Sequence, residues 1–210
     1  MAAGTQQALK NAITLKGSAD IVTEYFDYAI NSILYQRGVF PAQSFVLSPK
    51  YDLQLYMNTL DDVKNYLNGI FPHIKEWLAE GKVSKLVLGI TDIYKKETVE
   101  CWEFRVENEK VAANGEAPKL KTEADKDLKE IQKGIREVIR QITASVTFLP
   151  LLEGTYSFNV QVIVSKDADA GTDWQDGAAL AVSNPQQVKL RSFTTALHNV
   201  HTFVNYQGPS

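Results

Sequence analysis

Between Gly17 and Gln36 the apolar side chains recur with a spacing that suits a long, deeply packed helix. Ile21 and Val22, Tyr25 and Phe26, Ala29 and Ile30, Ile33 and Leu34 form an i, i+1, i+4, i+5 stripe. That stripe keeps one face turned inward for about five turns. Ser18 and Asp20 suit the orphan amides at its start, and Gly38 with Pro41 ends it.

The rest of the chain supplies what such a helix can pack on. Residues 51–57 alternate, with Tyr51, Leu53, Leu55 and Met57 on one side, and read as a strand. A second helix is predicted to open at Thr59 with Asp62 as a capping partner, to carry Val63, Tyr66, Leu67, Ile70, Ile74, Trp77 and Leu78 on its apolar stripe, and to close at Gly81. Pro72 lies inside it and predicts a kink. Residues 83–91 and 98–106 read as strands around a Lys95-Lys96 turn, and 107–126 as a polar loop. A third helix carries Leu128, Ile131, Ile135, Val138, Ile139 and Ile142 on its stripe. Residues 155–164 make a clear strand, 165–187 an Asp-, Gly- and Ala-rich loop, and 188–195 and 197–206 two more strands. Helices and strands do not alternate regularly. A doubly wound parallel sheet is therefore excluded in favour of an α+β domain with helices on one sheet face.

Composition narrows the function. At 210 residues and 44% hydrophobic, the chain suits one domain with a sizeable core. A net charge of -3 gives no electrostatic footprint for nucleic acid or an anionic membrane. The single cysteine, Cys101, and the lack of an apolar signal core at the start point to the cytosol or nucleus. No phosphate-cradling glycine loop, nucleophile elbow or dinucleotide fingerprint occurs. His198 and His201 sit three apart in a predicted strand, so they face opposite sides and cannot share a metal. Cys101 reads as a small buried hydrophobe. The acidic run Asp167, Asp169, Asp173 and Asp176 mimics a calcium loop, but Thr172 stands where the turn glycine belongs and Ala178 where the bidentate glutamate belongs. A solvated loop is expected there.

Four segments add a resemblance. Residues 13–22 read ITLKGSADIV, 31–41 NSILYQRGVFP, 140–153 RQITASVTFLPLLE and 187–200 QVKLRSFTTALHNV. Together they resemble the spindle-checkpoint branch of the HORMA family. The likeness is dense over 13–41, 128–153 and 187–206, and looser over 42–106, where VLGI at 87–90 and the Trp102 strand fit. It is absent at 1–10, 107–126 and 166–182, and Gly69, Pro72 and Gly134 depart from it.

The resemblance implies a central, mainly antiparallel sheet with three helices on one face and a mobile C-terminal "safety belt" hairpin. It implies one domain over 1–210, with a core at about 13–164 and the belt at about 165–210. It implies a non-catalytic switch, without cofactor or metal, that binds neither nucleic acid nor membrane and delays anaphase. The implied partners are the activator of the anaphase-promoting complex, a coiled-coil kinetochore protein, other copies of the chain in a second conformer, and a AAA+ remodelling ATPase with its HORMA adaptor. A partner motif would add as a strand along 155–164, against Tyr156, Phe158, Val160 and Val162 and near Trp77. Arg140, Gln141 and Phe148 match the self-association face, and Leu15 and Val200 the positions that bias the two conformers. The implied location is nucleus, kinetochore and cytoplasm. A HORMA adaptor of a translesion polymerase is the alternative reading.

Overall fold

The long stripe forms α1, Leu15–Gln36, in a computed structural model that describes residues 13–108, 128–172 and 174–208. Its Val22, Tyr25, Phe26, Ile30, Ile33 and Leu34 are fully enclosed. The cap differs from expectation. Thr14 accepts the Gly17 amide at 3.0 Å, while Ser18 is buried toward the sheet and Asp20 pairs with Lys75. A cap needs an extended backbone just before the first turn, and Thr14 has it. Gly38, with φ of 63°, turns the chain out of the helix.

Next comes a hairpin of which sequence reasoning saw one half. β1, Phe45–Lys50, pairs antiparallel with β2, Leu53–Asn58. Tyr51 and Asp52 form the turn, both at positive φ, so Tyr51 is not a strand residue. Tyr35 of α1 stacks on Tyr56 at 3.7 Å and meets Phe45 edge-on, which holds the hairpin to α1.

α2, Asp61–Ala79, starts after Leu60 without a side-chain cap. Thr59 instead donates to the Ser44 carbonyl at 2.9 Å, tying the helix entry to the hairpin. The helix continues through Pro72. Its end is a Schellman motif: Lys82 N–H donates to Trp77 O and Gly81 N–H to Leu78 O. β3, Val83–Asp92, and β4, Thr98–Asn108, follow, and the remainder of the expected polar loop lies outside the described residues. α3, Leu128–Ala144, buries Ile131, Ile135, Val138, Ile139 and Ile142, whereas Leu128 at its first position is exposed.

The chain closes with β5, Tyr156–Val164, β6, Pro185–Thr194, and β7, His198–Gln207. These join β3 and β4 in a five-stranded antiparallel sheet of order β5-β3-β4-β7-β6. One face carries Leu86, Leu88, Trp102, Phe104, Val160, Val200 and Val204 into a common core with the three helices. The opposite face holds a small separate cluster of Val87, Cys101 and Val182. Leu15, which family likeness marks as a conformer-biasing position, is the first residue of α1 and is exposed.

A buried ion pair braces this arrangement. Arg37, just past α1, donates to Glu100 of β4 through Nε and Nη2, the latter at 2.6 Å, and reaches the Pro150 carbonyl ahead of β5. Trp102 Nε1–H supplies a further hydrogen bond to Glu100 at 3.1 Å. Arg37→Met strands the Glu100 carboxylate in the core, and should cost about 3–5 kcal/mol in urea unfolding. A loss below about 1 kcal/mol would show that the pair does not brace the fold.

Candidate partner-binding edge

A sheet has two edges, each with a row of N–H and C=O groups open to pairing. Here the C-terminal hairpin takes one, with β7 lying along β4 from Glu100↔Tyr206 to Asn108↔His198. The other edge is β5, which pairs with β3 on its inner side and with no strand on its outer side among the described residues. Successive residues of a strand direct their backbone groups to alternate sides. The Val160 N–H points outward, to the Tyr66 hydroxyl at 3.1 Å, so Phe158 and Val162 point their groups outward as well.

The segment between β5 and β6 wraps this edge. It leaves β5 with Ser165 N–H on the Lys82 carbonyl at 2.9 Å. It then runs beside α2, where Trp77 Nε1–H donates to Asp169 O at 3.0 Å and the Trp174 ring meets Trp77 at 4.9 Å. By residue 178 it has come round to the opposite face. There the Gln161 amide grips it twice, donating to Ala178 O at 2.7 Å and accepting from Leu180 N–H at 2.9 Å. Leu180 lies on Gly89 so closely that a Cβ there would sit 2.8 Å from its Cδ1, and Val182 joins Val87 and Cys101. Glycine in β3 is what lets the strap lie flat on the sheet.

The residues expected at this site come together. Trp77 is buried against the strap, Val160 is buried, and Tyr156, Phe158 and Val162 are half-buried on the helix face. Phe158 meets Tyr66 edge-on at 5.5 Å and Phe40 at 5.9 Å. Sequence reasoning placed Tyr66 on the apolar stripe of the second helix and not at this edge, and it missed the roles of Gly89, Gln161 and Leu180. The glycine inside an apolar strand was the one signal available.

The expected self-association residues lie elsewhere, around the end of α3. Arg140 is exposed beside Glu137 at 3.1 Å, and Phe148 is exposed. Gln141 has an intramolecular task, accepting the Arg191 N–H of β6. Among the described residues no three His, Cys, Asp or Glu side chains gather as metal ligands. The Asp167 and Asp169 carbonyls instead accept from Lys82 and Trp77. Burial pushes the Cys101 thiol up to about 11.

The hairpin's position is fastened by a buried polar chain. His198 Nε2 lies 3.2 Å from the Leu78 carbonyl, which can only accept, so Nε2 carries the proton. Nδ1 then accepts from Ser18 Oγ at 2.6 Å, and Ser18 Oγ accepts from Thr195 Oγ1. Tyr25 and Thr202 share a second buried hydrogen bond at 2.9 Å. His201, on the other face, lies 3.6 Å from Glu107.

The HORMA domain family matches residues 18–198. The chain is 46% identical over 200 residues to the mitotic spindle assembly checkpoint protein MAD2A of Dictyostelium discoideum, covering 95% of this chain and 96% of that protein. It is 43% identical over 204 residues to the Homo sapiens protein of the same name, covering 97% of each. A chain in the crystal structure of the mitotic checkpoint complex superposes with a TM-score of 0.81 at 39% identity, covering 91% of this chain and 99% of that one. The chain belongs to the HORMA-domain family. Its likeness within the family is to the spindle checkpoint proteins; DNA polymerase zeta subunit 2 of Drosophila melanogaster is 26% identical over 153 residues.

Gly89→Val should expel Leu180 from its notch, so protease cleavage within 165–184 should rise several-fold, on the order of 1 kcal/mol of local opening, at unchanged global stability. Unchanged cleavage would mean that the notch does not hold the strap. Burial lowers the His198 pKa below 6.5, so the unfolded chain takes up the proton first as pH falls. The His198 contribution is therefore full above 6.5 and is lost below it. Asp27, raised to about 6 by burial, acts in the opposite sense. The test is thus the difference in urea midpoint between wild type and His198→Gln from about pH 7 to about pH 5. The wild type should lose more, and parallel curves would remove His198 from the account.

Proposed function

We propose that this chain is a spindle assembly checkpoint protein that works without catalysis, by trapping a short partner segment as an added strand on β5. The observation that carries this reading is the outer edge of β5, which no strand among the described residues pairs with while the 165–184 strap passes around it. A strand laid there would bond to the outward groups of Phe158, Val160 and Val162 and be enclosed by the strap.

In this reading residues 1–210 act as one domain, with a core over about 13–164 and a belt over about 165–210. The trapped segments come from the anaphase-promoting-complex activator and from a coiled-coil kinetochore protein, and the location is nucleus, kinetochore and cytoplasm. Names of relatives at 43–46% identity and the checkpoint-complex neighbour support it. Arg140, Gln141 and Phe148 serve contact with a second conformer, and a AAA+ ATPase with its HORMA adaptor resets the chain. Val200 is fully buried with the hairpin on β4, so a polar group there disfavours this placement. Leu15 biases the balance from the N-terminal side.

Val162→Pro tests the mode of capture. It deletes an outward N–H of the edge strand and leaves the bonds to β3 in place. The variant should keep its fold and lose at least about tenfold in recovery of partners from mitotic extract, since each lost edge bond leaves a partner carbonyl unpaired. Undiminished recovery of the same partners would place capture elsewhere.

A further inference from the structure

The edge that would receive a partner is not bare at its middle. Tyr66 stands on α2, above the helix face of the sheet, and sends its hydroxyl to the β5 edge. There the oxygen accepts the outward Val160 N–H at 3.1 Å. Its own proton is directed at Asn159 Oδ1, 3.3 Å away. Asn159 belongs to the opposite side-chain set of β5, so the two side chains meet across the edge from different faces. The ring is held by Phe158, edge-on at 5.5 Å, so the hydroxyl is placed by packing and not by chance rotation.

Rows of open backbone groups on a flat edge invite unwanted pairing with other strands. An added antiparallel strand would put a main-chain carbonyl where the Tyr66 oxygen now sits, because both accept the same N–H. One position cannot hold two acceptors. We propose that the Tyr66 hydroxyl is a placeholder for the backbone carbonyl of the captured segment: it satisfies and blocks Val160 in the empty state, and must swing aside before a strand can pair there. This rests on the strand-capture reading above and adds a residue that sets the rate of capture. Asn159 acts through Tyr66 as a positioning residue, by holding the hydroxyl over the edge.

Tyr66→Phe keeps the ring against Phe158 and removes only the oxygen, so the fold is retained. The probes are twelve-residue peptides selected from a random phage-displayed library on the wild-type protein. Tyr66→Phe should bind them with an association rate raised about three- to tenfold, the size of one net hydrogen bond, and with an unchanged dissociation rate. Without peptide, the Val160 amide should exchange faster in Tyr66→Phe than in wild type. Asn159→Ala should move both readouts the same way by less. An association rate that is unchanged or lower, or a Val160 amide equally protected in Tyr66→Phe, overturns the placeholder role while leaving strand capture standing. A library that yields no binder to the wild-type protein overturns strand capture, and the proposal with it.

Discussion

The antiparallel pairing of β7 with β4 decides everything else about this molecule. The three-stranded core β5-β3-β4 has two edges and the chain has one C-terminal hairpin to cover them. With the hairpin on β4, the connection from β5 runs from beside Trp77 on the helix face to Leu180 on the opposite face before it reaches β6. That route makes a strap out of 165–184 and leaves β5 as the outer strand. The free edge and its enclosure are thus two results of one choice of partner strand.

What holds that choice is mixed in character. Val200 and Val204 enter the apolar core, which is non-directional and would accept other placements of similar area. The polar chain Thr195–Ser18–His198, anchored on the Leu78 carbonyl, and the Tyr25–Thr202 bond are directional. They are satisfied only with β7 in this register. Buried polar groups left without partners are costly, so these bonds select among placements that burial alone would leave close in energy. Moving the hairpin would also break the whole β4–β7 ladder before another could form, and any such exchange should be slow beside loop motion.

Much of the framework was legible in the residues. The stripes of α1 and α3 and the alternation of β3 to β7 report which side chains meet the core, a local pattern with a fixed period. The opposite facings of His198 and His201 follow from the same geometry. β1 escaped because Pro49 interrupts it and because the Tyr51-Asp52 turn lacks the glycine or asparagine that usually marks two positive φ angles. The cap of α1 was misplaced because Ser18 suits a cap chemically but is spent on His198, a residue far along the chain. Trp77, Phe158, Val160 and Val162 were reached through family likeness, whereas Tyr66 read only as a stripe residue of its helix and Gln161 and Leu180 were not seen. Their roles depend on meeting residues from other elements, Tyr66 on Val160 and Leu180 on Gly89, and no local pattern encodes such meetings.

Amide hydrogen exchange along β5, read by NMR on the free chain and on its complex with a captured partner segment, tests the central claim most directly. Asn159, Gln161 and Ile163, whose groups face β3, should be protected in both states. Phe158 and Val162 should exchange readily in the free chain and become protected on capture. If Phe158 and Val162 are already protected in the free chain, or stay open in the complex, the β5 edge is not where the partner is held.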